Sequence, residues 1–537
     1  MPTGADIVVK QLMTQGVEWI STLCGNGMDP LYRACCSADM DVIDTHNEQA
    51  AAYMADAYAR LTGNLGVCAV SSGIAHVNAL TGIANAHFDR APVLLITGAS
   101  GGYGADRGVF QEFDQVGLAE PICKYSSWVS RPEDIQYQVR TAISTAINEP
   151  PGPVHLTIPG DVLGSEVSAV KLSPVARVKP PLPERDGVLS AAKMLEDSTR
   201  PFLVVGTGCL RSTHRESILE FSEKFSVPFG VPIWDRGCIE NRHPNFMGVL
   251  GSASGEPELL EDADLVIVAG SDVDYRVGYL APPKTREDLL RVSIGWSSFP
   301  REAGFDLRLA GDPGRVLGKI VKNAEGGGHE RWLNTCQRRL ELFRSPWGTT
   351  APGDEVSTGR DIVEAIRPLL DDVVFLIDGG NIGQWAHMLL VDRYPSHWLT
   401  CGASAVVGWG IPGAMAARRA YPERDVLLLS GDGAFGFTPA EMESAVRQKL
   451  SFVSVVANDS AWGIVVCGQR GTMGDETVAC ETGEIRYDQV ARGFGARGLR
   501  ATRISEIREG IQEGFGNEVP TVIDVPIGVA SPTDARS

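Results

Sequence analysis

Two short phrases put acidic side chains where apolar, strand-like runs end. Ser430-Gly-Asp-Gly-Ala-Phe follows the run Val426 to Leu429, and Ala457-Asn-Asp-Ser-Ala-Trp-Gly follows the run Phe452 to Val456. Asp432 and Asp459 thus stand at the carboxyl ends of two strands, where open parallel sheets collect ligands. Carboxylates are the hard oxygen donors magnesium takes when it must also hold phosphate. Gly431 and Gly433 let backbone amides approach an anion, and the helix-like stretch Pro439 to Gln448 follows. Asp-Gly alone is ordinarily a turn. With both halves present, the pattern predicts a metal–diphosphate site.

The elements that must position these residues repeat along the chain. Apolar runs alternate with amphipathic stretches, the pattern of parallel α/β sheets. Val67 to Val70 and Val93 to Ile96 flank a helical stretch from His76 to Phe88. Pro201 to Val205 and Leu265 to Ala269 come next, then Val373 to Ile377 and the two strands of the acidic phrases. Pro-rich stretches at Pro174 to Asp186 and Ser345 to Gly359 read as linkers. The fold expected is α/β with three doubly wound parallel-sheet domains, over 1–172, 186–344 and 358–530.

Composition removes several classes of function. The chain has 537 residues and a net charge of −19, so it lacks the basic surface that nucleic-acid binding requires. No apolar run reaches membrane-spanning length, and the start has no signal-peptide core. Eleven cysteines without a Cys-x-x-Cys pair suit free thiols, and the expected compartment is the cytoplasm.

The Gly431-Asp-Gly to Asn458-Asp459 phrase resembles the cofactor signature of the thiamine-diphosphate-dependent decarboxylases and carboligases. The resemblance implies that Asp432, Asp459 and the carbonyl of Ala461 hold Mg2+ between diphosphate oxygens. Gly431, Gly433, Ala434, Trp462 and Gly463 belong to the same binding segment. That family usually has Asn where this chain has Asp459; the extra carboxylate tightens magnesium and repels the diphosphate. Asp44-Thr-His-Asn-Glu48 with the Ala-rich stretch after it resembles the family's pyrimidine-binding segment. Glu48 then occupies the position that activates the cofactor's aminopyrimidine, which calls for a buried carboxyl of raised pKa. The first and third segments become pyrimidine- and diphosphate-binding domains around a central one.

Further segments fit the same resemblance. Gly402-Ala-Ser-Ala-Val-Val407-Gly-Trp-Gly is similar to the segment under the cofactor, with Val407 as the apolar wedge and the Ala405 carbonyl holding the amine. Gly380, Asn381 and Ile382 match the second diphosphate loop, acting through backbone amides. Gln111, in Phe110-Gln-Glu, matches a substrate-side position. His76 is either a helix-start histidine with a structural hydrogen bond or an acid–base group over the thiazolium.

The order of segments most resembles the acetolactate synthase branch, with departures on the acceptor side. Asp272 replaces that enzyme's FAD-associated Arg, Cys467-Gly468 a Gln-Trp pair, and Ile74-Ala75 a Pro-Gly pair. The central domain of such enzymes carries FAD, or ADP in CoA-dependent relatives. The implied activity is a lyase or carboligase (transferase) acting on 2-oxo acids, 2-hydroxy ketones or 2-hydroxyacyl compounds, with the thiazolium as electron sink. A 2-hydroxyacyl-CoA lyase or oxalyl-CoA-decarboxylase-like enzyme is the nearest alternative. Because Glu48 and the diphosphate loops lie on different domains, the family's site forms between subunits, and a homodimer or homotetramer is expected. Gly206-Thr-Gly208 after a strand hints instead at a flavin- or nicotinamide-dependent oxidoreductase, although Arg211 stands where the third glycine belongs.

Overall fold

The computed structural model describes residues 1–101, 107–235, 243–295, 304–348, 353–390 and 397–534. It contains three six-stranded sheets, each wholly parallel. The first holds β1 (Trp19–Leu23), β2 (Asp41–Asp44), β3 (Gly66–Val70), β4 (Val93–Ala99), β5 (Ser126–Trp128) and β6 (Val154–Pro159) in the order 2-1-3-4-6-5. The second holds β7 (Pro201–Val205), β8 (Phe229–Pro232), β9 (Phe246–Leu250), β10 (Leu265–Ala269), β11 (Leu290–Gly295) and β12 (Leu307–Ala310) in the order 12-11-10-7-8-9. The third holds β13 (Val374–Asp378), β14 (Trp398–Thr400), β15 (Val426–Gly431), β16 (Val453–Asn458), β17 (Arg497–Arg500) and β18 (Thr521–Pro526). Its order, 14-13-15-16-18-17, repeats that of the first sheet. The central strands are buried along their whole length, as a sheet with helices on both faces requires.

The outer two domains pack on each other within the chain. The helix Glu48–Thr62 begins at an Asn47 cap and ends at Gly63, whose φ of 72° is the left-handed terminator. Its alanines allow close approach: a Cβ on Gly82 of the helix Ile74–Phe88 would lie 2.5 Å from Ala52 Cβ. On another face, Tyr53, Met54 and Ala57 join a shared core with Trp409, Ile411 and Met415 of the third domain. Each large side chain buried there contributes roughly 1.5–3 kcal/mol. Arg60 reinforces the joint, lying against Asp56 (3.5 Å) and Asp89 (3.4 Å) while Nη2 donates to the Thr400 carbonyl (2.9 Å).

The stretch read as a second linker differs at its start. The helix Glu330–Gly348 runs through Pro346, so Ser345 to Gly348 are helical. Buried Trp347, whose Nε1 donates to the Pro532 carbonyl at 3.1 Å, anchors that turn despite the proline. Residues 349–352 of that stretch lie outside the described residues. Among the described residues, no helix is long and apolar enough to cross a membrane.

Candidate active site

The third sheet reverses its winding between β13 and β15, the crevice where doubly wound sheets bind ligands. Three loops meet there. After β13, Gly379 turns at φ 114° and Gly380 opens the helix Gly380–Leu389. After β15 comes Asp432, and after β16 come Asp459, Ser460 at φ 54° and Ala461. A left-handed non-glycine residue stores strain of the kind kept at functional sites. Ala405 does the same on the loop opposite, at φ 55°.

These loops enclose a cavity of about 330 Å³. Its lining contains Gly380, Asn381, Ile382, Ala405, Val407, Gly431, Asp432, Gly433, Ala434, Asp459, Ala461, Trp462 and Gly463. Apart from Glu48, every residue read from the sequence as cofactor-binding therefore borders one space. Val407 is half-buried and presents an apolar surface there rather than joining the core.

Electrostatics at the cavity floor favour a cation. Burial, with Asp459 opposite, raises the Asp432 carboxyl to about 7. Asp459 is also pushed up, chiefly by burial. Two buried acids sharing a site hold protons unless a cation takes their place. Asn381 Nδ2 reaches Asp459 Oδ2 at 3.4 Å, and Thr482 Oγ1 reaches Asp432 Oδ2 at 3.4 Å. A Cβ on Gly463 would fall 2.2 Å from Asp459 Oδ2, so glycine there makes room for the carboxylate. Two carboxylates, a neighbouring backbone and helix amino ends form a donor set that fits a magnesium diphosphate.

Glu48, His76 and Gln111 lie apart from this cavity, in the first domain. Glu48 is the first residue of its helix and accepts from Asn78 Nδ2 at 3.0 Å. It is half-buried rather than buried as the resemblance requires, and the lining of its own chain's third-domain cavity does not include it. Gln111, at φ 55°, packs on Gly73 and accepts from Ser72 Oγ at 3.2 Å. Both therefore sit toward the amino end of the helix Ile74–Phe88. Gln111 also borders a second cavity of about 580 Å³ with Val109, Phe113 and Trp128.

His76 corrects the acid–base reading. Its side chain is fully buried, with the ring 4.7 Å from that of His155, and burial lowers its pKa to about 4. A neutral imidazole sealed in the core cannot touch substrate; it is a packing residue. The dinucleotide hint fails as well. Cβ atoms on Gly206 and Gly208 would strike Ser271 and Gly270, at 2.3 and 2.8 Å. Those glycines serve strand-to-loop packing, which accounts for them without a dinucleotide fingerprint.

Some site residues carried no motif. Asp378, the last residue of β13, is buried and accepts from Gly408 N (3.0 Å) and Gly410 N (2.7 Å). Tyr487 Oη donates to the Asp432 carbonyl at 2.9 Å. An acid at a strand end before two glycines was the available signal for Asp378; Tyr487 had none.

Comparison with known proteins gives three family matches in order along the chain. They are the thiamine pyrophosphate enzyme N-terminal TPP binding domain over residues 2–118, the central domain over 188–320, and the C-terminal TPP binding domain over 378–525. The chain is 31% identical to 2-hydroxyacyl-CoA lyase 2 of Mus musculus, over 95% of this chain and 88% of that one. It is 27% identical to a probable acetolactate synthase large subunit of Methanocaldococcus jannaschii, over 98% and 92%. An acetolactate synthase of Arthrospira platensis is 27% identical over 98% and 94%.

Proposed function

Since this chain belongs to the thiamine pyrophosphate enzymes, in their acetolactate synthase-like group, we propose that it makes or breaks the carbon–carbon bond beside the carbonyl of a 2-hydroxyacyl compound, 2-hydroxy ketone or 2-oxo acid. The observation that carries this reading is the cavity joining Asp432, Asp459, Ala461 and Val407. Bound thiamine diphosphate supplies an electron sink for the bond that breaks. Asp432, Asp459 and the Ala461 carbonyl hold the magnesium; Gly380 to Ile382 and Gly431 to Ala434 hold the diphosphate; Val407 and Ala405 orient the rings. Glu48 moves the proton at the aminopyrimidine, and Gln111 orients substrate.

Within one chain Glu48 and the cavity are unjoined, so the working form is a homodimer, or a homotetramer built from such dimers. Exposed apolar side chains support this. Ile74 (52%) and Phe110 (67%) stand near Glu48 and Gln111, while Phe437 (52%) packs beside Gly408 and Trp462 at the cavity. A second copy that seats one group on the other buries both and completes the site.

In the central domain, ADP suits the side chains better than FAD. The crevice beyond β7 and β10 is filled by Arg276, 4% exposed, paired with Asp235 at 3.1 Å and Asp274 at 2.9 Å. Arg90 crosses from the first domain to Asp272 at 2.6 Å. A flavin would have to displace both sets. Beside Thr207, where the three domains meet, a cavity of about 560 Å³ lined by Arg177, Arg211 and Arg215 suits the phosphates of ADP.

The test is calorimetric titration of the protein with magnesium thiamine diphosphate, followed by turnover assays on a 2-hydroxyacyl-CoA, a 2-hydroxy ketone and pyruvate. Saturable binding with aldehyde or acetolactate release is expected. Absence of binding sinks the reading. Mass spectrometry of released small molecules is expected to find ADP and no FAD.

A further inference from the structure

We propose that Asp378 is a positioning residue: its buried carboxylate ties the loop bearing Ala405 and Val407 to the strand end that opens the diphosphate loop. The proposal deepens the thiamine-diphosphate reading and rests on it. Asp378 is 1% exposed, and among the described residues no Lys, Arg or His forms an ion pair with it. A buried carboxyl group needs hydrogen bonds, and backbone amides provide them. Gly408 and Gly410, on either side of Trp409, donate to Oδ2 at 3.0 and 2.7 Å. The fit is close, since a Cβ on Gly410 would stand 2.7 Å from Asp378 Cβ.

The same loop is held from its other side. Thr438 Oγ1 donates to the Gly408 carbonyl at 2.9 Å, so both polar groups of that peptide position are fixed. Gly408 follows Val407 directly, and Ala405 two residues earlier is held in a left-handed conformation. A loop strained at Ala405 keeps its shape only when its surroundings over-determine it. Asp378 is the anchor immediately beyond the apolar wedge. Gly379, the next residue, turns at φ 114° into the helix whose amino end belongs to the diphosphate loop. One carboxylate thus fixes the spacing between the part of the cavity that meets the rings and the part that meets the phosphates.

The test compares the full-length protein with Asp378→Asn by calorimetry, using magnesium thiamine diphosphate and magnesium pyrophosphate as separate probes. Gly408 N also lies 3.3 Å from Oδ1, so with either oxygen replaced the amide sets a donor against an N–H. Affinity for thiamine diphosphate is expected to fall about tenfold or more, the scale of leaving a buried hydrogen-bonding group unpaired. The loss for pyrophosphate, which has no rings, is expected to be clearly smaller. Val407→Ala added to Asp378→Asn is expected to cost less than it does alone, because the wedge is already displaced. A folded Asp378→Asn protein with unchanged affinity, or with equal losses for both probes, overturns the proposal. If that variant fails to give a cooperative melt, Thr438→Val, which frees the other side of Gly408, replaces it: a larger loss for thiamine diphosphate supports the anchor, and equal or no losses overturn it. A wild-type protein that binds pyrophosphate but not thiamine diphosphate removes the underlying reading, and this proposal with it.

Discussion

Both carboxylate oxygens of Glu441 accept the backbone N–H of His46, each at 3.0 Å. Glu441 belongs to the helix Glu441–Arg447, which follows the Asp432 loop in the third domain; His46 lies two residues before Glu48 in the first. Arg447 adds a two-pronged contact to Asp44, at 2.8 and 2.9 Å. The segment that carries Glu48 is therefore fixed by the third domain of its own chain. Glu441→Gln is expected to lower turnover roughly tenfold, the effect of about 1.5 kcal/mol, while cofactor affinity stays unchanged. Steady-state kinetics beside calorimetry check this.

Glu441 also makes stability depend on pH. Burial raises its carboxyl to about 7 against the opposing His46 N–H. A folded-state value above the unfolded one means that the native protein holds a proton the unfolded chain has released. That contribution is full below the ordinary glutamate range and is lost as pH rises toward and through 7. Denaturant midpoints measured between pH 5 and 8 on metal-free protein should fall with pH more steeply for wild type than for Glu441→Gln. Equal slopes would contradict the assignment.

A shared site has a genetic signature. Glu48→Gln and Asp432→Asn should each abolish most turnover on their own, a proton-transfer group being worth about 10²–10⁴ in rate. Co-expressed, they should form mixed dimers in which one of the two sites has both residues intact. Activity recovered in the mixture supports assembly between subunits; none recovered argues that Glu48 works within its own chain.

Asp459 should set the metal dependence. Asp459→Asn removes one of two facing acids, so more magnesium should be needed for half-maximal cofactor binding. At saturating magnesium, thiamine diphosphate should bind the variant at least as tightly, because a negative charge near the phosphates is gone. Chelation of the metal should release the cofactor from both proteins.

Arg60 tests the joint between domains. Its side chain is 7% exposed between Asp56 and Asp89, and burial pushes both of these acids upward. Arg60→Met leaves two buried acids without their cation, which should cost about 3–5 kcal/mol of stability. A chemical denaturation curve reads this directly.

The three parallel sheets and the residues that border the third-domain cavity were already legible in the order of residues. Strand-length apolar runs report burial on two faces, and the acidic residues of the cavity sit just past strand ends, with glycine where backbones must close up. Asp432 and Asp459 are legible for that reason; Gly380 and Val407 are legible only through the family resemblance, Val407 lying on a loop well beyond β14. Packing settled what depends on contacts distant along the chain. His76, on a helix, became a core residue because His155 of β6 lies against it; Gly206 and Gly208 were claimed by Gly270 and Ser271. Asp378 gained its place because a loop thirty residues away turns its amides toward it. Spacing along a chain records which groups a strand can present, whereas the neighbour that meets each group is fixed only when the elements pack.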